Sequence, residues 1–360
     1  MGKTDPYFIE AVARALDVLE LFRDREDIRL TDVVERLGMI KSTAFRFLYT
    51  LEQKGMIERS PDGRSYRRRV RHRIGMVSIS HTIPFVQEVE HGIQTAARRA
   101  GLELSIRHHG MVPERLFQAV DRLLDSGIAA LLCYNPNEHL SYVVADRCSR
   151  ANVPVIAITF PVPGGRLFSI NNYRAGLDGG DALGTRIARR WRSTIDRVVI
   201  LDIPGSSPAQ QARTSGMLEG LQKHVPIPST KITHVHLDRD RNKRDPVLVH
   251  FLNQTKRSSR IAVLCYNDLN SISALSVTEQ LGRSEQVAIL SQGGTPEVRA
   301  AIRRPLSAMW AAVAHFPERF GEQLIPIILR TLRGEPAPAI TYTNHVVLTR
   351  ENIRTVYPET

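Results

Sequence analysis

Cysteine is scarce in this 360-residue sequence: Cys133, Cys148 and Cys265 are an odd number and lack the spacing of a metal site. This usage suits a reducing compartment and excludes a small domain held together by disulfides. No run approaches the roughly 18 apolar residues of a membrane span. The first residues, MGKTDPYFIEAVARALD, lack the apolar core of a signal peptide. We therefore expect a cytoplasmic protein with no membrane partner.

The motifs of several enzyme classes are also missing. The sequence has no G-x-G-x-x-G or G-x-x-x-x-G-K-[ST] phosphate loop, no G-x-S-x-G nucleophile elbow and no H-E-x-x-H metal motif. We therefore expect no cofactor, no metal and no catalytic residue. Glycine- or serine-bearing loops at 164–165 and 204–207 leave one alternative open. That alternative is an α/β enzyme of sugar or nucleotide chemistry carrying a DNA-binding appendage.

Positive charge is in excess: 49 Lys and Arg against 37 Asp and Glu give a net charge of +12, which favours an anionic partner. One stretch is especially basic. Residues 54–73 contain eight basic and two acidic side chains, a net of +6, whereas residues 1–53 contain eight basic and ten acidic ones, a net of −2. Any neutralisation of nucleic-acid phosphates would therefore use residues 54–73.

Residues 30–63 read LTDVVERLGMIKSTAFRFLYTLEQKGMIERSPDG. The pattern predicts a helix capped by Thr31 and ended by Gly38, a second helix opened by Ser42, and a turn at 61–63 between two short strands. Two helices joined by a glycine-bearing turn and followed by an arginine-rich hairpin are typical of a winged helix-turn-helix that binds DNA. An ordinary αα-hairpin followed by a β-hairpin is the alternative.

The second of these helices would present groups to base edges and phosphates from its start and polar side, namely Lys41, Ser42, Thr43 and Arg46. The hairpin would add phosphate contacts from Arg59, Arg64, Arg67, Arg68 and Arg69. Residues 11–23 (AVARALDVLELFR) and the following segment 30–67, which ends in SYR, resemble the N-terminal winged helix of IclR-family transcriptional regulators. KSTAFRFLYTLEQKG is the most specific part of this resemblance, which implies operator DNA as a partner.

From residue 73 onward, strand and helix patterns alternate, which predicts doubly wound parallel sheets. There are too many strand–helix units for one sheet, so we expect two lobes. An internal sequence repeat, or echo, supports this prediction. In both IAALLCYNPN (128–137) and IAVLCYNDLN (261–270), a predicted buried strand is followed by Cys-Tyr-Asn. Asn135 and Asn267 would then lie at the carboxyl ends of corresponding strands and face a shared cleft. Chance similarity between two buried strands is the alternative.

Residues 74–357 resemble the type I periplasmic-binding-protein fold, the ligand domain of ribose-type receptors and LacI/GalR-family regulators. The matching signatures are IPFVQEVEHGIQTAARRAG, ANVPVIAI, NNYRAG, ARTSGM, LCYND, GGTPEVRAAI and AHFPERFGEQ. In addition to Asn135, the ligand site would include the residues that this resemblance implies, namely Phe85, Thr159, Phe160, Asn171, Gln211, Asn267, Gly293 and His315. The ring of Phe85 would stack on the apolar face of a sugar.

The sequence departs from the sugar-receptor pattern where charged groups usually bind sugar hydroxyls. Thr159-Phe160 replaces an Asp-Arg pair, Gln211 stands at an arginine position, and Gly293 at an aspartate position. We therefore expect a small, polar, neutral or weakly charged effector, a sugar or sugar derivative. The fold class is α/β, with a winged helix-turn-helix over 1–72 and a two-lobed effector domain over 73–360. The predicted function is a homodimeric, ligand-responsive transcriptional regulator.

Overall fold

The structure, a computed structural model, describes residues 7–23, 25, 27–60, 62–68, 72–203, 207–238 and 240–358. The chain divides into two compact units, Met1–His72 and Arg73–Thr360. Across these described ranges, no helix is long and apolar enough to cross a membrane.

In the described part of the first unit, short helices and a small antiparallel sheet share one core. The elements are α1 (Glu10–Glu20), β1 (Asp27–Ile28), α2 (Leu30–Leu37), α3 (Lys41–Gln53), β2 (Ile57–Arg59) and β3 (Tyr66–Arg68). The strands are ordered β1-β3-β2, and β2 and β3 form the predicted hairpin. Apolar side chains from every layer are buried in this core, among them Val18, Ile28, Val33, Leu48 and Ile57.

The two ends of α2 differ in how well the sequence predicts them. The predicted N-cap, Thr31, is wrong, because the helix begins at Leu30 and Thr31 lies inside its first turn. Arg29 precedes the helix, and its backbone N–H donates to Asp32 Oδ2 at 2.7 Å, so the first-turn carboxylate stabilises this end. At the other end Gly38 has a φ of +59°, and this left-handed residue confirms the predicted stop.

The second unit begins with a strand–helix series that forms the first lobe. Its elements are β4 (Arg73–Ser78), α4 (Pro84–Arg99), β5 (Glu103–His108), α5 (Pro113–Asp125), β6 (Ala130–Cys133), α6 (Glu138–Arg150), β7 (Val155–Ile158) and β8 (Arg166–Ser169).

The second lobe follows with α7 (Asn172–Trp191), β9 (Arg197–Asp202), α8 (Pro208–Gln222), β10 (Ile232–His236), α9 (Arg241–Asn253), β11 (Ile261–Cys265), α10 (Asp268–Gln280), β12 (Val287–Gly293), α11 (Pro296–Arg303) and β13 (Met309–Ala314). The chain ends with α12 (Phe320–Leu332), β14 (Ile340–Tyr342), β15 (Val346–Leu348) and α13 (Ile353–Val356).

The sheets of the two lobes repeat one strand order. As far as the chain is described, the first lobe has β5-β4-β6-β7-β8-β14 and the second β10-β9-β11-β12-β13-β15. β6 and β11, which carry the sequence echo, hold the same position in their sheets. The final strands differ, since β14 pairs with β8 in parallel and β15 pairs with β13 antiparallel. The order reverses direction beside β4 and β9, and such switch points are where ligands bind in open parallel sheets.

Core packing explains why these strands read as continuous apolar runs. Along β6, Ala130 and Leu132 join a cluster that spans both lobes, whereas Leu131 and Cys133 join a separate cluster on the opposite face of the first sheet. A strand buried on both faces needs apolar side chains at every position. The alternation therefore confirms parallel sheets with helices on either side.

The lobes are joined where the chain passes between them after β8, after β13 and after β14. Helix α12 follows a strand of the second lobe but packs against α4 of the first, with Gly321 against the Gly92 carbonyl. An ion pair also links the lobes, since Arg299 Nη2 of α11 lies 3.4 Å from Glu88 Oε2 of α4.

Helices α7 and α8 approach each other more closely than ordinary side chains allow. A Cβ atom at Gly180 would collide with the Met217 carbonyl, and one at Gly220 would collide with the Leu177 carbonyl. Because Gly180 and Gly220 lack side chains, the backbones of the two helices can touch at these positions. This contact fixes the start of α8 against the start of α7, where the chain enters the second lobe.

Candidate DNA-binding surface and ligand cleft

Helix α3 presents a polar face away from its core. Ala44, Leu48 and Leu51 are buried, so the opposite side of the helix is exposed. That side carries Lys41, Ser42 and Arg46, while Thr43 is half-buried. The arrangement leaves the groups predicted to read bases accessible at the start of the helix.

Two of the hairpin arginines already have acidic partners. Arg59 Nε lies 3.2 Å from Glu52 Oε1, and Arg67 Nε lies 2.7 Å from Asp27 Oδ1. Arg64 is exposed, and its backbone N–H donates to Asp62 Oδ1 at 3.0 Å. Arg68 ends β3, whereas Arg69 lies outside the described residues.

An aromatic pair on α3 is absent from the predicted site. Phe45 and Tyr49 are 42% and 50% exposed, and their rings stack with centroids 6.3 Å apart. They share the exposed face with Arg46. Their four-residue spacing is visible in the sequence, but that spacing alone does not distinguish an exposed pair from a buried one.

In the second unit, the repeated Cys-Tyr-Asn segments follow β6 and β11 as predicted. Asn135 is buried and turns back on its own loop, donating from Nδ2 to the Asn137 carbonyl at 2.8 Å. Asn267 is the N-cap of α10, and its Oδ1 accepts from the Asn270 N–H at 2.9 Å. Both asparagines therefore have local hydrogen bonds that shape these strand ends.

Three other predicted ligand residues lie in the first lobe. Phe160 is buried and stacks on Tyr134 with ring centroids 5.9 Å apart. Thr159 has a φ of +67°, the left-handed conformation, which turns the chain sharply at the end of β7. Phe85 is half-buried and meets Phe320 edge-on at 6.2 Å, so core packing occupies much of its ring.

Two predicted residues lie beside more enclosed neighbours. Asn171 is exposed and caps α7 by accepting the Arg174 N–H at 3.0 Å, and Gln211 is exposed on the first turn of α8. Asn172 follows Asn171, and Arg213 lies two residues after Gln211. The side chains of Asn172 and Arg213 are hydrogen-bonded to each other. Arg213 donates from Nη2 and Nε to Asn172 Oδ1 at 2.7 and 3.0 Å.

Arg213 is the buried cation of this region. It is 7% exposed, its Nη1 donates to the Tyr266 carbonyl at 2.8 Å, and its guanidinium lies 4.9 Å from the centroid of the Tyr266 ring. The Tyr266 hydroxyl in turn accepts from Gln210 Nε2 at 2.8 Å. Burial, together with the nearby Tyr266 hydroxyl, raises the pKa of Tyr134, which relates the two repeated tyrosines across the lobes.

His315 and Gly293 complete the second lobe's wall. His315 follows β13, is buried, and its Nε2 lies 2.8 Å from Gln292 Oε1. Burial and the positive charge of Arg213 hold the pKa of His315 well below its usual range, so the imidazole is neutral. Gly293 has a φ of +143°, and a Cβ there would collide with the Asp268 carboxylate, which explains the glycine.

Potential metal ligands and the three cysteines can be located within the described part of the chain. Among the described residues, no three His, Cys, Asp or Glu side chains come together as a possible metal site. The three cysteines are free and buried, and burial raises the pKa of Cys133 to about 12. A thiol of this kind is inert as a nucleophile at neutral pH.

Comparison with known families accounts for this architecture. Residues 74–336 match the periplasmic binding protein domain, and residues 11–61 match the IclR helix-turn-helix domain. The chain belongs to the periplasmic binding protein domain family. Both resemblances predicted from the sequence are thereby confirmed. The two families are non-enzymatic, which also confirms that the chain is not an enzyme.

Two curated transcriptional regulators match a short part of the chain. The HTH-type transcriptional regulator XynR of Escherichia coli (strain K12) is 37% identical over 60 residues, which cover 16% of this chain and 24% of that protein. The HTH-type transcriptional regulator BhcR of Paracoccus denitrificans (strain Pd 1222) is 40% identical over 58 residues, covering 16% and 21%. The chain thus spans under a quarter of the length of these relatives.

Solved periplasmic binding proteins match the second unit. A solute binding protein from Mycobacterium smegmatis, with bound glycerol, superposes with a TM-score of 0.70 at 18% identity, covering 81% of this chain and 98% of that one. Another from Actinobacillus succinogenes 130z, with bound D-allose, gives a TM-score of 0.69 at 15% identity, covering 79% and 99%. At these identities the likeness establishes the family fold.

Proposed function

We propose that this protein is a ligand-responsive transcriptional regulator. The observation that carries the proposal is the union in one chain of an IclR-type winged helix with a two-lobed periplasmic binding protein fold. The domain boundary we propose lies between residues 72 and 73. Such a protein works in the cytoplasm, where operator DNA is found.

The N-terminal unit binds operator DNA through α3 and the hairpin. Arg46, with Lys41, Ser42 and Thr43, reads base edges in the major groove, because these groups lie on or beside the exposed side of α3. Arg64, Arg68 and Arg69 bind phosphates, and Arg59 and Arg67 contribute less because Glu52 and Asp27 already neutralise their guanidinium groups.

The second unit binds a small polyhydroxylated effector between its lobes. Tyr134 and Tyr266 follow β6 and β11, which hold equivalent positions in the two sheets, and solved neighbours of this fold hold D-allose or glycerol. A ligand that contacts both lobes favours closure in proportion to its difference in affinity for the closed and open states. Closure is the change that the N-terminal unit would have to sense.

The working form is a homodimer. One winged helix makes a small interface with DNA, and two half-sites raise affinity through effective concentration. An apolar stripe on and just before α1, made of Ile9, Val12 and Leu16, is 53–64% exposed and offers a surface for a second copy. Sedimentation should show a dimer at micromolar concentration; a monomer both free and on operator DNA would contradict it.

The regulatory proposal is tested by selecting bound fragments from the genomic DNA of the source organism with the full-length protein. We expect a few sequences bound in preference to random DNA, and polyhydroxylated metabolites that change this affinity. The double variant Lys41→Ala/Arg46→Ala should lose the preference while its second unit still binds metabolites. Selection of no preferred fragment would overturn the proposal.

A further inference from the structure

The cleft of the second unit holds a buried positive charge that lacks a negative partner. Arg213 hydrogen-bonds to the Asn172 amide oxygen and the Tyr266 carbonyl, both of which are neutral acceptors. Across the described residues, no carboxylate forms an ion pair with its guanidinium. Burying a cation without a counter-charge is costly, so the site favours a ligand that supplies one.

The buried acids nearest the strand ends have partners of their own. Asp268 accepts from Ser291 Oγ at 2.6 Å and from the Thr295 N–H at 2.7 Å. Glu90, in the first lobe, lies 3.0 Å from His108 Nε2. Both carboxylates are therefore engaged elsewhere, and neither is paired with Arg213.

The guanidinium also keeps donors available. Arginine carries five N–H groups, and three nitrogen-to-acceptor contacts engage one each on Nε, Nη1 and Nη2. One N–H therefore remains on each terminal nitrogen. Two adjacent N–H groups of this kind match the two oxygens of a carboxylate.

A second pair of unsatisfied groups lies nearby, at the end of β12 and β13. His315 is neutral and donates from Nε2 to Gln292 Oε1, which leaves its Nδ1 as an acceptor. His315 Nδ1 and Gln292 Nε2 are both buried and lack a hydrogen-bond partner among the described residues. A ligand hydroxyl can donate to His315 Nδ1 and a second hydroxyl can accept from Gln292 Nε2, so both groups can bind a polyhydroxylated ligand.

We infer that the effector is a polyhydroxylated carboxylic acid, such as an aldonate or uronate, whose carboxylate binds Arg213 and whose hydroxyls bind His315 and Gln292. The inference rests on the proposed function and names the chemical class of its ligand. It replaces the neutral or weakly charged effector expected from the sequence. A carboxylate fits better than a phosphate ester, because the single guanidinium of Arg213 balances one negative charge.

The test compares ligands that share a carbon skeleton. Calorimetry on the full-length protein would use D-gluconate with D-glucitol, D-galactonate with galactitol, D-glucuronate with D-glucose, and D-glucose 6-phosphate as the phosphate arm. We expect at least one acid to bind about 100-fold more tightly than its neutral partner. Arg213→Gln should abolish that difference. Arg174→Gln, at an exposed arginine paired with Asp178 on α7, is the matched control and should preserve it.

Two outcomes separate this inference from the proposed function. Equal or tighter binding of the neutral partner would overturn the carboxylate while leaving a sugar-responsive regulator in place. Preference for the phosphate ester would overturn it in the same way. Binding of none of these compounds would count against both proposals. Because the comparison of acid with alditol uses the unaltered protein, the test holds even if Arg213→Gln fails to fold.

Discussion

Arg46 and the hairpin arginines occupy different surroundings, and this difference separates specificity from affinity. Arg46 lies on the exposed face of α3. We predict that Arg46→Ala lowers the preference for operator over random DNA by about tenfold, because a base-reading arginine is worth one to a few kcal/mol of discrimination. Competition anisotropy measures the ratio. Arg14→Ala, an exposed α1 arginine paired with Glu10, is the control, and an unchanged ratio for Arg46→Ala would refute its role.

The acid partner of Arg67 should be visible in the salt dependence of DNA binding. Arg64→Ala should flatten the slope of log K against log salt by about 0.9, the value for one phosphate contact. Arg67→Ala should flatten it by less, since Asp27 already neutralises that guanidinium at 2.7 Å. Equal effects of the two substitutions would mean that the Arg67–Asp27 pair opens on DNA.

The neutral state of His315 predicts a pH effect on stability. Burial, then Arg213, lowers the folded-state pKa well below 6.5, the ordinary value recovered on unfolding. Below that pH the unfolded chain binds a proton that the folded chain does not, so stability is complete above about 6.5 and falls as pH falls. His315→Gln should reduce the loss between about pH 7.5 and 5.5 by about 1 kcal/mol. Denaturant unfolding without ligand measures it, with exposed His139→Gln as the unchanged control.

The buried contact at the start of α7 and α8 lies one or two positions away from residues that the sequence singled out. Asn171 and Gln211 were predicted, but Asn172 and Arg213 make the buried contact. A helix periodicity read from one sequence does not show which of two neighbours faces inward. The preference of asparagine for the N-cap gave a usable clue, since it assigns Asn171 to capping and leaves Asn172 for the contact with Arg213.

Among the secondary-structure elements, α7 and α8 depend most on single residues. We predict that Gly180→Ala lowers the free energy of unfolding by about 3 kcal/mol or more, because its Cβ would meet the rigid Met217 carbonyl. Thermal or urea unfolding of the second unit measures the change. Arg189→Ala, on the exposed side of the same helix, should be nearly neutral. A small effect at Gly180 would show that the helices can separate without cost.

Local pattern predicted most elements, and non-local pairing limited the rest. The predicted alternation of strands and helices agrees with the structure from β4 to β7 and from α7 to α11, whereas β8 lies at Arg166–Ser169, before the predicted strand at 169–172. The repeated Cys-Tyr-Asn segments correctly identified strands in equivalent positions. The short strands β14 and β15 were not predicted. Each has three residues and gains its stability from a strand far away in sequence, β8 or β13, so its own residues carry little pattern.

For the whole molecule, the segment between the two units should decide whether effector binding reaches DNA. Residues 67–73 contain no proline or glycine, and 69–71 lie outside the described residues. A Gly-Ser insertion between His72 and Arg73 should leave effector affinity intact and weaken its effect on operator binding, because half-site spacing demands fixed geometry. Calorimetry and anisotropy measure the two quantities. A full effector response in the insertion variant would show that coupling takes another route.

The interleaving of the two lobes also bears on how the protein is made. The sheet of the first lobe is completed by β14, at Ile340–Tyr342, and that of the second by β15, at Val346–Leu348. During synthesis the winged helix emerges early and can fold at once, whereas both lobes wait for residues beyond 339 to leave the ribosome. A translation product that stops before residue 340 would therefore carry the DNA-binding unit while both of its lobes lack an edge strand. If such a truncated product bound operator DNA as proposed, its binding would no longer depend on the effector.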